Sequence, residues 1–218
     1  MKWDKGLLIQ GVLVVSTLAG CATQFVYPYP HGAPGRNTNR VIAVARIDDQ
    51  RVDRDFDKVI TTNPLDELSA ILKKELESTS LFDKVVVIPT TEAEMAQGRP
   101  ETPLNFTMNS TLVEIRLDDS QCQSRWRTAG VIGMVTFGFG AIPFWFTDCE
   151  TSGYVRLHIA VKGDSDEQLY IDKFYSGQTN QTVNHIVWSS GPTSPEVVAK
   201  SIKNVMTQLK ADLAIAFK

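Results

Sequence analysis

The sequence predicts an α+β domain: a mixed or antiparallel sheet of about five strands, two main helices packed on one face, and an apolar, Gly-rich insertion. Three observations carry this prediction. Tyr154 to Val161 alternates strictly, with Val155, Leu157, Ile159 and Val161 on one side and Arg156, His158 and Ala160 on the other, the pattern of a half-buried strand. Two stretches, beginning at Pro64 and Ser194, repeat apolar residues at spacings of three and four behind capping residues, as amphipathic helices do. Residues 129–146 are uncharged and interrupted by Gly130, Gly133, Gly138, Gly140 and Pro143. Hydrophobic residues at 43% and charged residues at 22% suit a folded domain rather than a disordered chain, here placed at 41–218.

At the amino terminus, Lys2 and Lys5 precede an apolar run from Gly6 that ends at Leu18-Ala19-Gly20-Cys21. The run has the length of a signal-peptide core and is too short to span a bilayer comfortably. Leu18 to Cys21 resembles the lipobox of bacterial lipoproteins. The resemblance implies that residues 1–20 are a signal peptide, cleaved before Cys21. It further implies that Cys21 carries a diacylglycerol on its thiol and a fatty chain such as palmitate on its new amino group. Three chains make such anchoring effectively permanent. Ala22, standing where those lipoproteins use Asp for retention, implies the outer membrane facing the periplasm. An ordinary signal peptide or an uncleaved anchor is the alternative. Cleavage removes Lys2, Lys5 and Asp4, taking the formal charge from −3 to −4, a poor balance for nucleic acid.

Residues 21–40 are rich in Pro, Gly and Asn and are expected to form a tether from lipid to domain. Val41 to Ile47 is apolar on both faces, as in a central strand. Asp53, Asp55 and Asp57 mimic the start of a calcium loop, but Lys58 stands where Gly is needed and Pro64 where Glu is needed, so a solvated loop is expected. Asn63-Pro64 opens a helix with Leu65, Leu68, Ile71, Leu72 and Leu76 on its apolar side, ending at Glu77-Ser78-Thr79-Ser80. A strand at 81–88 follows, then a short helix at 91–97, a loop, and a strand at about 106–117. Beyond the insertion come the strand at 154–161, a turn at 163–167, and a strand at 168–176 forming a hairpin with it. Residues 178–192 are polar and are expected to be irregular. Ser194-Pro195-Glu196 caps the long helix, which carries Val198, Ile202, Val205, Leu209, Leu213 and Ala216 inward.

Cys122 and Cys149 flank the insertion. An exported protein with two remaining thiols most simply pairs them, closing a loop worth about 3 kcal/mol in chain entropy; two reduced, buried thiols are the alternative. A spanning helix over 129–146 would hold its ends about 27 Å apart, which a disulfide forbids. A spanning helix is therefore the least favoured reading, behind core and a surface that meets a membrane or partner. An uncharged segment of this size exceeds what two helical stripes need for cover, and Trp126 and Trp145 lie near its ends as interfacial residues do. The expected contact residues are Trp126, Val131, Ile132, Phe137, Phe139, Ile142, Phe144, Trp145 and Phe146.

Catalytic and nucleotide-binding patterns are absent: there is no HExxH, Gly-x-Ser-x-Gly, Walker A, CxxC or complete Gly-x-Gly-x-x-Gly. His31, His158 and His185 are far apart in sequence, and Glu114, Asp118 and Asp119 are expected to be solvated. No catalytic residue, metal site or cofactor is expected, and the protein is not expected to be an enzyme. The succession of elements, with Leu81-Phe82-Asp83-Lys84-Val85-Val86 after the first helix, resembles small α/β lipoprotein domains of cell-envelope assembly factors (the curli-secretion and Tol-like families). That resemblance covers about 41–90 and implies a noncatalytic adaptor binding envelope proteins. The expectation is therefore an outer-membrane-anchored binding or assembly component, with membrane lipid (through Cys21) and envelope proteins as partners and homo-oligomerisation left open. A membrane-inserting accessory of a transport or secretion system, or a small-ligand-binding or hydrolytic envelope protein, are the alternatives.

Overall fold

Val41–Ala45 forms strand β1, flanked by parallel neighbours on both sides in a computed structural model that describes residues 25–30, 39–88, 103–118, 131, 148–184 and 194–218. The further elements are β2 (Asp48–Asp49), a 3-10 turn (Asp55–Lys58), α1 (Pro64–Glu77), β3 (Lys84–Ile88), β4 (Phe106–Asp118), β5 (Asp148–Gly163), β6 (Leu169–Asn184) and α2 (Ser194–Ala216). They build a mixed six-stranded sheet in the order β3-β1-β4-β5-β6, with β2 pairing with β4. The pairs β1–β3, β1–β4 and β2–β4 are parallel; β4, β5 and β6 form an antiparallel meander. Both helices contribute to one hydrophobic core, so the α+β prediction holds. The sixth strand is β2, a two-residue continuation of β1 too short to show in an apolar pattern.

α1 starts where Asn63 Oδ1 accepts a hydrogen bond from the Leu65 amide at 3.0 Å and Pro64 occupies the first position. It stops because hydroxyls take over its terminal carbonyls: Ser78 Oγ donates to Glu75 and Thr79 Oγ1 to Leu76. Its buried side holds Leu68, Ile71, Leu72 and Leu76, with Leu65 at the margin. β3 begins at Lys84 rather than at 81; Phe82 instead packs edge-on to Phe106 and Phe217. The short helix expected at 91–97 lies outside the described residues.

β4 places Met108, Ser110 and Leu112 inward, then Ile115. The change of parity is a bulge between Leu112 and Glu114, where the pairing with β5 shifts by one residue. β5 keeps the alternation read from the sequence: Val155, Leu157, Ile159 and Val161 are fully buried. β6 extends to Asn184 instead of stopping at Ser176, so residues 178–184 are strand rather than irregular. A polar ladder from α2 runs along this part of the sheet's edge. Lys200 reaches Gln181, Asn204 Nδ2 donates to the Gln178 carbonyl, and Gln208 Nε2 donates to the Ser176 carbonyl. One turn further on, Asp212 accepts from Lys173 and Tyr175. Such cover stops an edge strand from recruiting other chains.

α2 sits close to the sheet because two glycines make room for it. A Cβ on Gly177 would lie 2.0 Å from the Ser201 carbonyl oxygen, and one on Gly153 2.9 Å from the Val197–Val198 backbone. Ser201 Oγ donates to the Gly153 carbonyl at 2.9 Å across the same contact.

Candidate functional site

The chain that enters the domain is held far earlier than a tether would be. In Phe25-Val26-Tyr27-Pro28-Tyr29-Pro30, prolines favour extended backbone, and extended backbone puts alternate side chains on one side. Phe25 is 7% and Tyr27 5% exposed, whereas Val26 between them is 66% exposed. Phe25 joins the core cluster and lines a small cavity with Phe56, Ile60, Pro64, Glu67, Leu68, Ile115 and Ile202. Tyr27 donates its hydroxyl to Glu75 Oε1 at 2.6 Å, and Lys210 Nζ donates to Glu75 Oε2 at 2.6 Å. Tyr29 packs edge-on to Tyr27, with Lys74 Nζ 3.8 Å from its ring centre. These residues strap α1 to α2. Glu75, 2% exposed, is tolerable there because both its oxygens are bonded and one partner is a cation. Burial, then the bond to Glu75, push the Tyr27 hydroxyl well above the usual tyrosine range.

The loop after β2 is organised around a buried arginine. The side chain of Arg51 is 1% exposed; it bonds Asp49 through Nε and Nη2 and Asp57 through Nη1 and Nη2. Arg51 holds the Asp49 carboxyl below the usual carboxylate range. Asp55 pairs with Lys58 and bonds the Asp53 carboxylate through its amide. Asp49, Asp55 and Asp57 are thus paired with cations of the same loop, and no cluster of three metal-ligating side chains occurs among the described residues. The loop is solvated as expected at Asp53, Arg54, Asp55 and Lys58, around a buried Arg51 and Phe56 that the sequence reading did not single out. At its tip Val52 is fully exposed.

Strap and loop meet near the carboxyl end of β4, beyond which β5 and β6 continue to pair as far as Asp148 and Asn184. Ile115, beside Phe25, lies three residues before the end of β4, and Pro64 is the first residue of α1. Asp49 pairs with Leu112, so Val52 continues toward the same end. Asp118 pairs with Ser152; the connection from β4 to β5 therefore leaves and re-enters the sheet here. Its two ends lie on one side, which a single transmembrane crossing would not allow, and no helix among the described residues is long and apolar enough to cross a membrane.

Of the expected contact residues, Val131 is described and is 62% exposed. Trp126, Ile132, Phe137, Phe139, Ile142, Phe144, Trp145 and Phe146 lie outside the described residues, as do Cys21, Cys122, His31, His185 and Asp119. Cys149 is placed by its backbone, opposite Val183. The outer face of the sheet carries a different cluster: His158 Nε2 lies 2.7 Å from Asp172 Oδ1, and Phe174 is bracketed by His158 and by Arg156 at 4.7 Å. Glu114 pairs with Arg116. The sequence reading missed the strap, Arg51 and the Glu75–Lys210 pair. Only the strap had left a signal, in the two-residue spacing of Phe25, Tyr27 and Tyr29.

No family model and no curated protein matches the chain. Solved structures similar to it include a PelC dodecamer from Paraburkholderia phytofirmans (TM-score 0.41, 10% identity, covering 84% of this chain and 95% of that one). Protein XCC0632 from Xanthomonas campestris gives TM-score 0.41 at 11% identity over 88% of this chain and 90% of that one. Lipoprotein GNA1162 from Neisseria meningitidis gives 0.36 at 9% identity over 79% and 99%. At such low scores the likenesses carry no functional assignment.

Proposed function

We propose that the protein is a noncatalytic lipoprotein of the bacterial cell envelope, anchored through Cys21 to the outer membrane, that binds or assembles envelope proteins through the β4–β5 connection. The observation that carries the reading is the exposure of Val131 within an uncharged apolar segment. The described core supports it, because β4 and β5 pair along their length and both helices already cover the inner face. Exposed apolar surface is what partners and membranes bind. The site calls for no bond-making chemistry; its resources are apolar area and a short link to lipid.

Replacing Phe137, Phe139, Phe144 and Phe146 together by serine tests the proposal. A variant that keeps the cooperative unfolding of the parent but loses its crosslinked partners in intact cells supports a contact surface. A variant that unfolds, or one that keeps every partner, contradicts it.

A further inference from the structure

The outer edge of β6 is guarded along one part and open along another. α2 closes the guarded part with one side chain per turn: Lys200 reaches Gln181, Asn204 donates to the Gln178 carbonyl and Gln208 to the Ser176 carbonyl. The next residue in that series, Asp212, turns instead to Lys173 Nζ and the Tyr175 hydroxyl. The one after it is Ala216, whose side chain has nothing to donate. We propose that the stretch Asp172 to Phe174, left open beyond this ladder, is a docking edge for an extended peptide segment of a partner protein. That segment alternates apolar with basic residues and adds to the sheet as a further strand. The site is separate from the β4–β5 connection and does not depend on the lipid anchor.

Backbone parity opens the edge. In an antiparallel pair alternate residues bond the neighbouring strand, and the residues between them point away. The carbonyls of Ser176 and Gln178 point away from β5, since α2 reaches them. The β5–β6 register is unbroken from Ile171 to Asn184, so Phe174 and Asp172 turn their N–H and C=O groups outward as well. Among the described residues, no backbone bond outside the strand ladders involves either of them. An uncapped edge of this kind is where strands are added.

Apolar side chains flank the same stretch. A shallow groove runs between Ile171 and Lys173 on β6 and Asp212, Ile215 and Ala216 on α2. Ile215 is 68% exposed on the helix side, and Phe174 is 52% exposed on the outer face of the sheet. A strand laid along the edge places alternate side chains on those two sides, one set against Ile215 and the other beside Phe174 and Asp172. Charge sets the rest of its chemistry. Asp164, Asp166 and Glu167 stand exposed in the turn before β6, and Asp172 and Asp212 line the stretch itself. The cations Lys162 and Lys173 are paired with Glu167 and Asp212, and Arg40 bonds the Phe217 carbonyl. Acid is in excess, which suits a strand carrying lysine or arginine between apolar residues.

The test titrates the full chain against a fluorophore-labelled heptapeptide of alternating lysine and valine, read by anisotropy. Saturable binding is expected, with slowed hydrogen exchange at the Asp172 and Phe174 amides. Asp172→Pro removes an outward N–H where an edge strand tolerates proline, and should weaken binding about tenfold or more. Phe174→Ser with Ile215→Ser alters two exposed side chains and should weaken binding several-fold at an unchanged unfolding midpoint, which keeps the proposal open to refutation if the proline variant does not fold. The same peptide N-methylated at all its amides should not bind. No binding to the parent chain, or binding that survives both N-methylation and the substitutions, overturns the proposal. Self-association of the chain that Asp172→Pro abolishes would assign the edge to a second copy and overturn the peptide.

Discussion

Replacing Phe25 by alanine asks whether the strap is part of the folded domain. Its ring is almost wholly withdrawn from water among Phe56, Ile60, Pro64, Leu68, Ile115 and Ile202. Loss of a buried phenylalanine side chain costs about 3–5 kcal/mol, combining lost transfer energy with the cavity left behind. A domain of ordinary stability has about 5–15 kcal/mol in all. Phe25→Ala thus removes a large fraction. The Glu75 pair falls partly with it, since Tyr27 reaches Glu75 only while the strap is seated. Urea unfolding of the mature chain carrying Cys21→Ser, followed by intrinsic fluorescence and circular dichroism, measures the change. Val26→Ala is the internal control: it is one residue away, 66% exposed, and expected to change stability by less than about 0.5 kcal/mol. Equal, small effects of the two substitutions would refute the docking of the strap.

Other perturbations follow from the same contacts. Tyr27 and Tyr175 both have hydroxyls raised above the ordinary range, by burial first and then by Glu75 and Asp212 respectively. The stability they contribute is complete below the unfolded tyrosine value of about 10 and is lost as pH rises beyond it. Tyr27→Phe with Tyr175→Phe should flatten the alkaline fall of the urea midpoint, and an unchanged slope would contradict this. Arg51→Lys breaks two forked carboxylate contacts made by a guanidinium that is itself buried. It should cost about 3 kcal/mol despite retaining the charge, and a midpoint like the parent's would show that the fork is dispensable. The same arginine depresses Asp49, whose contribution is present above pH about 4 and disappears on acidification; Asp49→Asn should shrink the acid slope. Gly177→Ala drives a Cβ into the backbone of α2 and should cost at least about 1–3 kcal/mol. Gly163→Ala, where the nearest atom is the carboxylate of Asp166, should cost less; thermal unfolding of the two would contradict the close-approach account if their order were reversed.

Features set by neighbouring residues were legible in the sequence. The Asn63-Pro64 start of α1, its leucine stripe, the alternation of β5 and the spacing along α2 are all local patterns, and each element formed where its pattern lay. Features set by a distant partner were not. Gln178 to Asn184 shows no apolar alternation because its edge is satisfied by side chains of α2. Nothing near Val113 announces the bulge, since the extra residue is defined by the register with β5. Arg51 sits among carboxylates that look solvated until β2 pairs with β4 and turns the loop back onto Asp57. The strap was hidden by composition: its prolines, together with the glycines that follow, suggested a linker, while its aromatic residues carried the packing. Of the contact surface read from the sequence, Val131 alone is described and faces solvent.

Intact mass analysis of the native protein extracted from membranes tests the central claim most directly. The account predicts a polypeptide beginning at residue 21, heavier than its amino-acid sequence by a diacylglyceryl group and one amide-linked fatty chain. A chain that begins elsewhere, or that begins at Cys21 with no added mass, would contradict it.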